Sequence, residues 1–374
     1  MNTKFDDIRP YTDAEIPTAM QRIAESEHLP ALAKFVFPEK EPAEVKTLLR
    51  NFTNIYDFQS QVMHVFNQQV IKQTIDNFSC SGLEQLNPAK NYLFVSNHRD
   101  IVLDSSLLQS SLLSAGFRTT EITFGSNLMS SPLVVDIGKS NKMFKVVRGG
   151  NAREFYKKSL HLSEYIRYVL TEKGESVWIA QRSGRAKDGN DATNQGIIRM
   201  FCMSNPQDLV QSVAELNIVP VAVSYQWESC DVLKTNELYH SQNGTKYVKQ
   251  QDEDIASILT GITQQKGNVH FCICPPIEKE EYIGFANEMP NLFYKNTAQL
   301  IDKRIYTHYK LWDTNYIAHD IRSGTDRYAA HYTPEAKEQF LQKLRQTLNQ
   351  IDGDKKLISE IYLGIYANAV GKSK

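Results

Sequence analysis

Glycine is nearly missing from the first quarter of this 374-residue sequence: Gly82 is the only one before residue 98. A glycine-rich phosphate loop is therefore excluded there. Long apolar runs are missing as well. The stretch around Val219 to Val223 falls far short of the roughly 18 to 20 residues needed to cross a bilayer, so no membrane-spanning segment is expected. The opening MNTKFDDIRPYTDAEIP lacks the basic start and apolar centre of a secretory signal, which predicts a cytoplasmic protein. Cysteine is scarce, and the five present (Cys80, Cys202, Cys230, Cys272, Cys274) are scattered. That usage suits reduced thiols rather than a disulfide framework. Neither sign of charge dominates, with 42 Lys and Arg against 43 Asp and Glu. No Gly-x-Ser-x-Gly elbow supports a serine hydrolase.

What is present is globular: 41% of residues are hydrophobic and 23% charged, which excludes a disordered or fibrous chain. Helical spacing of Ile55, Phe58, Val62, Phe66 and Val70 predicts a helical N-terminal layer over residues 1–85. From about residue 91 short apolar runs alternate with helix-like stretches: YLFVSN, ITFGSN, FKVVRGG, SVWIAQR, NIVPVAVSY and VHFCICPPI. This alternation predicts an α/β domain built around a central sheet over residues 86–286. Beyond it, Leu357, Ile358, Ile361, Tyr362 and Ile365 share one helix face, predicting a helical C-terminal region over 287–374.

In α/β domains the chemistry usually sits on loops at strand ends, where polar groups need not be paired within the sheet. The first exit is Val95-Ser96-Asn97-His98-Arg99-Asp100-Ile101-Val102-Leu103-Asp104. An imidazole with a nearby carboxylate is a general-base pair, because the carboxylate fixes the ring tautomer and stabilises the imidazolium. The alternative for His98 is a hydrogen-bonded cap or a core residue. His98-Arg99-Asp100 and Asp136-Ile137-Gly138 imitate kinase motifs, but the upstream glycine loop and strand lysine are missing.

A second exit, Phe144 to Gly150, contains Arg148. The third, Trp178 to Gly189, carries Ser183, Gly184, Arg185 and Lys187. From Lys139 to Lys187 there are 12 Lys and Arg against 4 Asp and Glu. Guanidinium forks and glycine-permitted backbone donors at strand exits suit an anionic substrate, the alternative being a solvated basic face. Ile218 to Ser224, with Pro220, is expected to be a buried core strand. His270, Cys272 and Cys274 share a strand face without a second ligand cluster, which favours packing over zinc. The basic residues lack interleaved stacking aromatics, so no nucleic-acid partner is expected.

In order and spacing, Asn97-His98 with Asp104, Phe144 to Arg148, Gly184-Arg185 with Lys187, and Val219-Pro220 resemble the motifs of the glycerolipid acyltransferases. The resemblance covers about residues 80–280. It implies a mixed central sheet flanked by helices, as in the glycerol-3-phosphate acyltransferases. The implied activity is transfer of a fatty acyl group from acyl-CoA or acyl carrier protein to glycerol 3-phosphate or 1-acylglycerol 3-phosphate (lysophosphatidate). His98 and Asp104 would be the base pair, Arg148, Arg185 and Lys187 would hold the acceptor phosphate, and Ser183 and Gly184 would face the oxyanion. No cofactor or metal is implied, and attachment would be peripheral, at the inner membrane face.

Two departures distinguish this chain. Five residues rather than four separate His98 from Asp104, with Asp100 nearer in sequence but expected to point away. No Glu precedes Gly184-Arg185, leaving Gln181 and Asp188 as candidates for its role. Two alternatives remain open: a different lipid acceptor, such as an amino acid lipid, or a homologue that binds lipid or carrier with little turnover.

Overall fold

The computed structural model describes residues 3–147, 149–242, 247 and 253–372. Seven strands form one mixed sheet: β1 (Asn77–Ser81), β2 (Leu93–Ser96), β3 (Glu121–Gly125), β4 (Met143–Val146), β5 (Val177–Ala180), β6 (Ile218–Tyr225) and β7 (Asn268–Ile273). Their order is β1-β7-β6-β2-β5-β3-β4. Strands β2 to β6 are mutually parallel. β7 runs antiparallel to β6 and carries β1 parallel to itself. The six apolar runs read from the sequence are β2 to β7. The seventh strand, β1, lies inside the stretch read as helical, because its short, polar sequence NFSCS belongs to a half-exposed edge rather than a buried run.

Helices cover both faces of the sheet, so the central strands read as nearly continuous apolar runs. Leu93, Val95, Val177, Ile179, Ile218 and Ala222 face one layer, packed with Tyr165, Ile166, Ile198, Phe201, Ile301 and Ile305. Phe94, Trp178, Val219, Val221, Val223 and Tyr225 face the other, packed with Leu103, Leu107, Leu108 and Leu112. The alternation follows directly from the two-residue period of a strand. Pro220, which has no N–H to donate, is tolerated because it lies one residue before Val221, where the pairing of β6 with β7 starts; its carbonyl still accepts from Cys274 N as the chain turns into Pro275 and Pro276.

The helices Ile16–Ala24, Leu29–Val36 and Pro42–Arg50 close a small core of their own around Met20, Leu29, Val45 and Phe52. Near the other end, the helices Asp313–Ser323, Pro334–Gln350 and Lys355–Ala367 pack around Ile317, Phe340, Tyr362 and Tyr366. Among the described residues no helix is long and apolar enough to cross a membrane.

Candidate active site

The parallel strands β2 and β5 lie side by side, and their carboxyl ends deliver the two loops that meet at the site. Beyond Ser96 the chain leaves the sheet, yet β6 continues. The buried Asn97 side chain fills the gap, its Oδ1 accepting from Val223 N at 2.7 Å and its Nδ2 donating to Val223 O at 2.9 Å. One side chain thus satisfies a strand edge that would otherwise be left unpaired.

His98 follows. Its Nδ1 lies 2.9 Å from Asp104 Oδ2, and its side chain is 13% exposed against 0% for Asp104. Asp104 Oδ2 also accepts from Arg99 N at 2.6 Å and Asp100 N at 2.9 Å, while its Oδ1 accepts from Tyr225 OH at 2.9 Å. A buried carboxylate with donors at both oxygens is held rigidly, with its acceptor positions satisfied. Burial beside Asp104 also raises the Tyr225 phenol well above its ordinary range, so Tyr225 remains a donor. Asp100 is engaged elsewhere. Its Oδ1 accepts from Val102 N and Leu103 N, capping the helix Leu103–Ser114, and its Oδ2 accepts from Ser229 Oγ. The Trp178 and His98 rings meet in a T-shaped contact at 5.9 Å between centroids, and Trp178 Nε1 donates to Ser96 Oγ. The His98 Nε2 has no hydrogen-bond partner among the described residues.

The loop after β5 folds back over this exit. Gln181 N donates to Ser96 O and Ala186 N to His98 O, each at 2.8 Å. The second bond sets Arg185 next to the backbone of His98. Arg185 is only 7% exposed, and its Nη1 is a buried donor without a partner among the described residues. Ser183 is exposed, and Gly184 sits at φ +77° with open space where a Cβ would project. The amides of Ser183 and Gly184 bond to no other described backbone group. Lys187 is turned to an ion pair with Glu237. Arg148 lies outside the described residues. Gln181 is buried, with its Nε2 unpartnered among the described residues, whereas Asp188 receives Asn190 N in a local turn.

Beneath the loop lies a buried charge network that the sequence reading did not include. Arg99 donates to Asp191 Oδ2 at 2.7 Å and to Glu228 Oε2 at 3.3 Å. Lys234 Nζ donates to Glu228 Oε1 at 2.5 Å and to Arg99 O at 2.7 Å. Arg99 was visible in sequence as the residue after His98. Its partners, about 90 and 130 positions away, carried no local signal. Asp136, in the kinase-like triplet, is bound by Tyr11 and Arg22 of the N-terminal layer, which makes it a structural tie.

Residues 77–224 match the family described as Acyltransferase. No curated protein sequence matches the chain. Among solved structures, it is similar to the 1-acyl-sn-glycerophosphate (LPA) acyltransferase PlsC of Thermotoga maritima. The two share 13% identity over 77% of this chain and 94% of that one, with a TM-score of 0.37.

Proposed function

We propose that the protein is an O-acyltransferase of phospholipid biosynthesis. It moves a fatty acyl group from an acyl-CoA or acyl-carrier-protein thioester to a hydroxyl of glycerol 3-phosphate or 1-acylglycerol 3-phosphate. The observation that carries this reading is the pairing of a carboxylate-held imidazole, His98 with Asp104, with the buried and partly unpartnered guanidinium of Arg185 on the facing loop. The imidazole supplies a base. The guanidinium supplies the charge-assisted donors that a phosphate accepts.

In this mechanism His98 Nε2 takes the proton of the acceptor hydroxyl as its oxygen attacks the thioester carbonyl. The new C–O bond forms, the C–S bond breaks, and the proton passes from the imidazolium to the leaving thiolate. No acyl-enzyme is required. Asp104 stabilises the transient imidazolium, and the Ser183 and Gly184 amides are the donors for the carbonyl oxygen as it gains charge. Arg185 is the principal phosphate ligand, with Arg148 and Lys187 as further cations, Lys187 only after leaving Glu237. The catalytic unit in this reading is residues 86–286, working in the cytoplasm against the inner membrane face.

The test is thiol release from palmitoyl-CoA and from palmitoyl-acyl carrier protein, with glycerol 3-phosphate, 1-acylglycerol 3-phosphate or no acceptor. Release that requires one acceptor, and that falls by at least about a thousandfold in His98→Ala, is the expected result. Folded protein that releases no thiol with any combination, or release untouched in His98→Ala, would overturn the reading.

A further inference from the structure

The exit of β4 ends in a surface that packing does not explain. After Val146 the chain passes through Gly149 and Gly150, both with positive φ, and enters the helix Ala152–Tyr168, capped by Asn151 Oδ1 accepting from Glu154 N at 3.0 Å. Further along, this helix buries Tyr165 and Ile166 in the core that lines the sheet, and Ser163 against Phe201 O and Ser204. Its first turns face solvent, with Phe155 and Tyr156 57% and 54% exposed and Arg153 and Lys157 exposed beside them. Singly exposed apolar residues are ordinary. Two adjacent aromatics with Arg153 and Lys157 one turn apart around them, and Glu154 as the one exposed acid among them, are not.

A second apolar pair lies across the neighbouring exit. The helix Glu253–Thr263 turns Ser257 and Gly261 inward, Gly261 against Asp100, and leaves Ile255 and Leu259, one turn apart, in solvent. Its Asp254 accepts from Asn127, two residues beyond β3. Strands β3 and β4 are adjacent, so both apolar pairs sit beyond the carboxyl ends of the sheet, on the side where β2 presents His98.

We infer that the first turns of the helix Ala152–Tyr168, with the outer face of the helix Glu253–Thr263, form the surface that docks the enzyme on an anionic phospholipid bilayer. The occupant follows from charge and side-chain type together. Phenol and phenyl rings partition to the boundary between headgroups and acyl chains, and adjacent Arg and Lys are attracted to anionic headgroups. An acidic protein surface would satisfy the cations but leave four large apolar side chains without apolar contact. This inference rests on the acyl-transfer reading, since that reaction uses substrates that partition into membranes.

The experiment is co-sedimentation of the full chain with phosphatidylcholine vesicles, with and without phosphatidylglycerol. The readout needs no turnover, so docking and chemistry can fail separately. The wild type should pellet with the anionic vesicles. Phe155→Ser/Tyr156→Ser and Arg153→Glu/Lys157→Glu should each cut the bound fraction at least fivefold while keeping the wild-type melting temperature and thiol release from a water-soluble short-chain acyl-CoA. Raised salt should weaken the wild type further. Wild type that stays in the supernatant with anionic vesicles overturns the inference. So do variants that pellet like wild type, including the case in which they lose only turnover with acyl-carrier-protein thioesters, which would assign the face to the carrier.

Discussion

At the scale of single residues, the site depends on how Asp104 is held. Its two oxygens receive the His98 ring, two backbone amides and the Tyr225 phenol. In Asp104→Asn the side-chain amide cannot accept at both positions, so one of those donors must face another donor. The expected result is a fall in kcat of about a hundred- to ten-thousandfold with acceptor KM changed far less, measured by steady-state thiol release. Arg185→Ala should give the converse: acceptor KM raised by at least about tenfold, donor KM unchanged, and kcat lowered only as far as the acceptor is misplaced. The buried Nη1 without a protein partner makes this separation possible, because removing the side chain breaks no bond to that atom among the described residues.

At the scale of elements, the loop after β5 is supported by the C-terminal helices rather than by the sheet alone. Asn368 Nδ2 donates to Asp188 O at 2.7 Å, and Tyr362 and Tyr366 both donate to Asp231 Oδ2, at 3.1 and 2.7 Å, beside the buried charge network. The contact is closest at Gly189, which has φ +71° and where a Cβ would stand 2.1 Å from the carbonyl oxygen of Ile365. Gly189→Ala should therefore push the helix Lys355–Ala367 off the loop. A loss of about 1 to 3 kcal/mol is expected, read as a lower melting temperature together with faster proteolysis of the C-terminal segment. An unchanged melting temperature and cleavage pattern would show that the loop yields without cost.

At the scale of the whole molecule, Lys266 couples the N-terminal layer to the sheet. Its buried Nζ donates to Thr74 Oγ1 at 3.0 Å and to Gln264 O at 2.6 Å, and its backbone amide donates to Thr74 O. Burial pushes the Lys266 ammonium down to about 8. In the unfolded chain the group keeps its proton to an ordinary value near 10.4. Between those values the unfolded state binds more protons, so this residue makes folding stability rise with pH, by up to about 3 kcal/mol across the window. Urea midpoints measured from pH 7.5 to 9.5 should climb in the wild type relative to Lys266→Met. Parallel curves would show that Lys266 titrates normally.

The sequence by itself determined the sheet's interior, because strands buried on both faces must be short apolar runs with turns between them, and six of the seven are legible in that way. It also marked a candidate site, since His98, Asp100 and Arg185 lie two to five residues past strand ends and Asp104 eight residues past the end of β2. It did not reveal β1, whose edge position demands no apolar pattern. Only the tertiary structure decided that Asp104 meets the ring while Asp100 caps a helix. The same is true of the turning of Lys187 to Glu237 and the sharing of Asp191, Glu228 and Lys234 with Arg99. Strand patterns arise from neighbours along the chain, whereas most of these pairings join residues 50 to 135 positions apart, and even the Asp100 and Asp104 choice is made by how the backbone turns against β6.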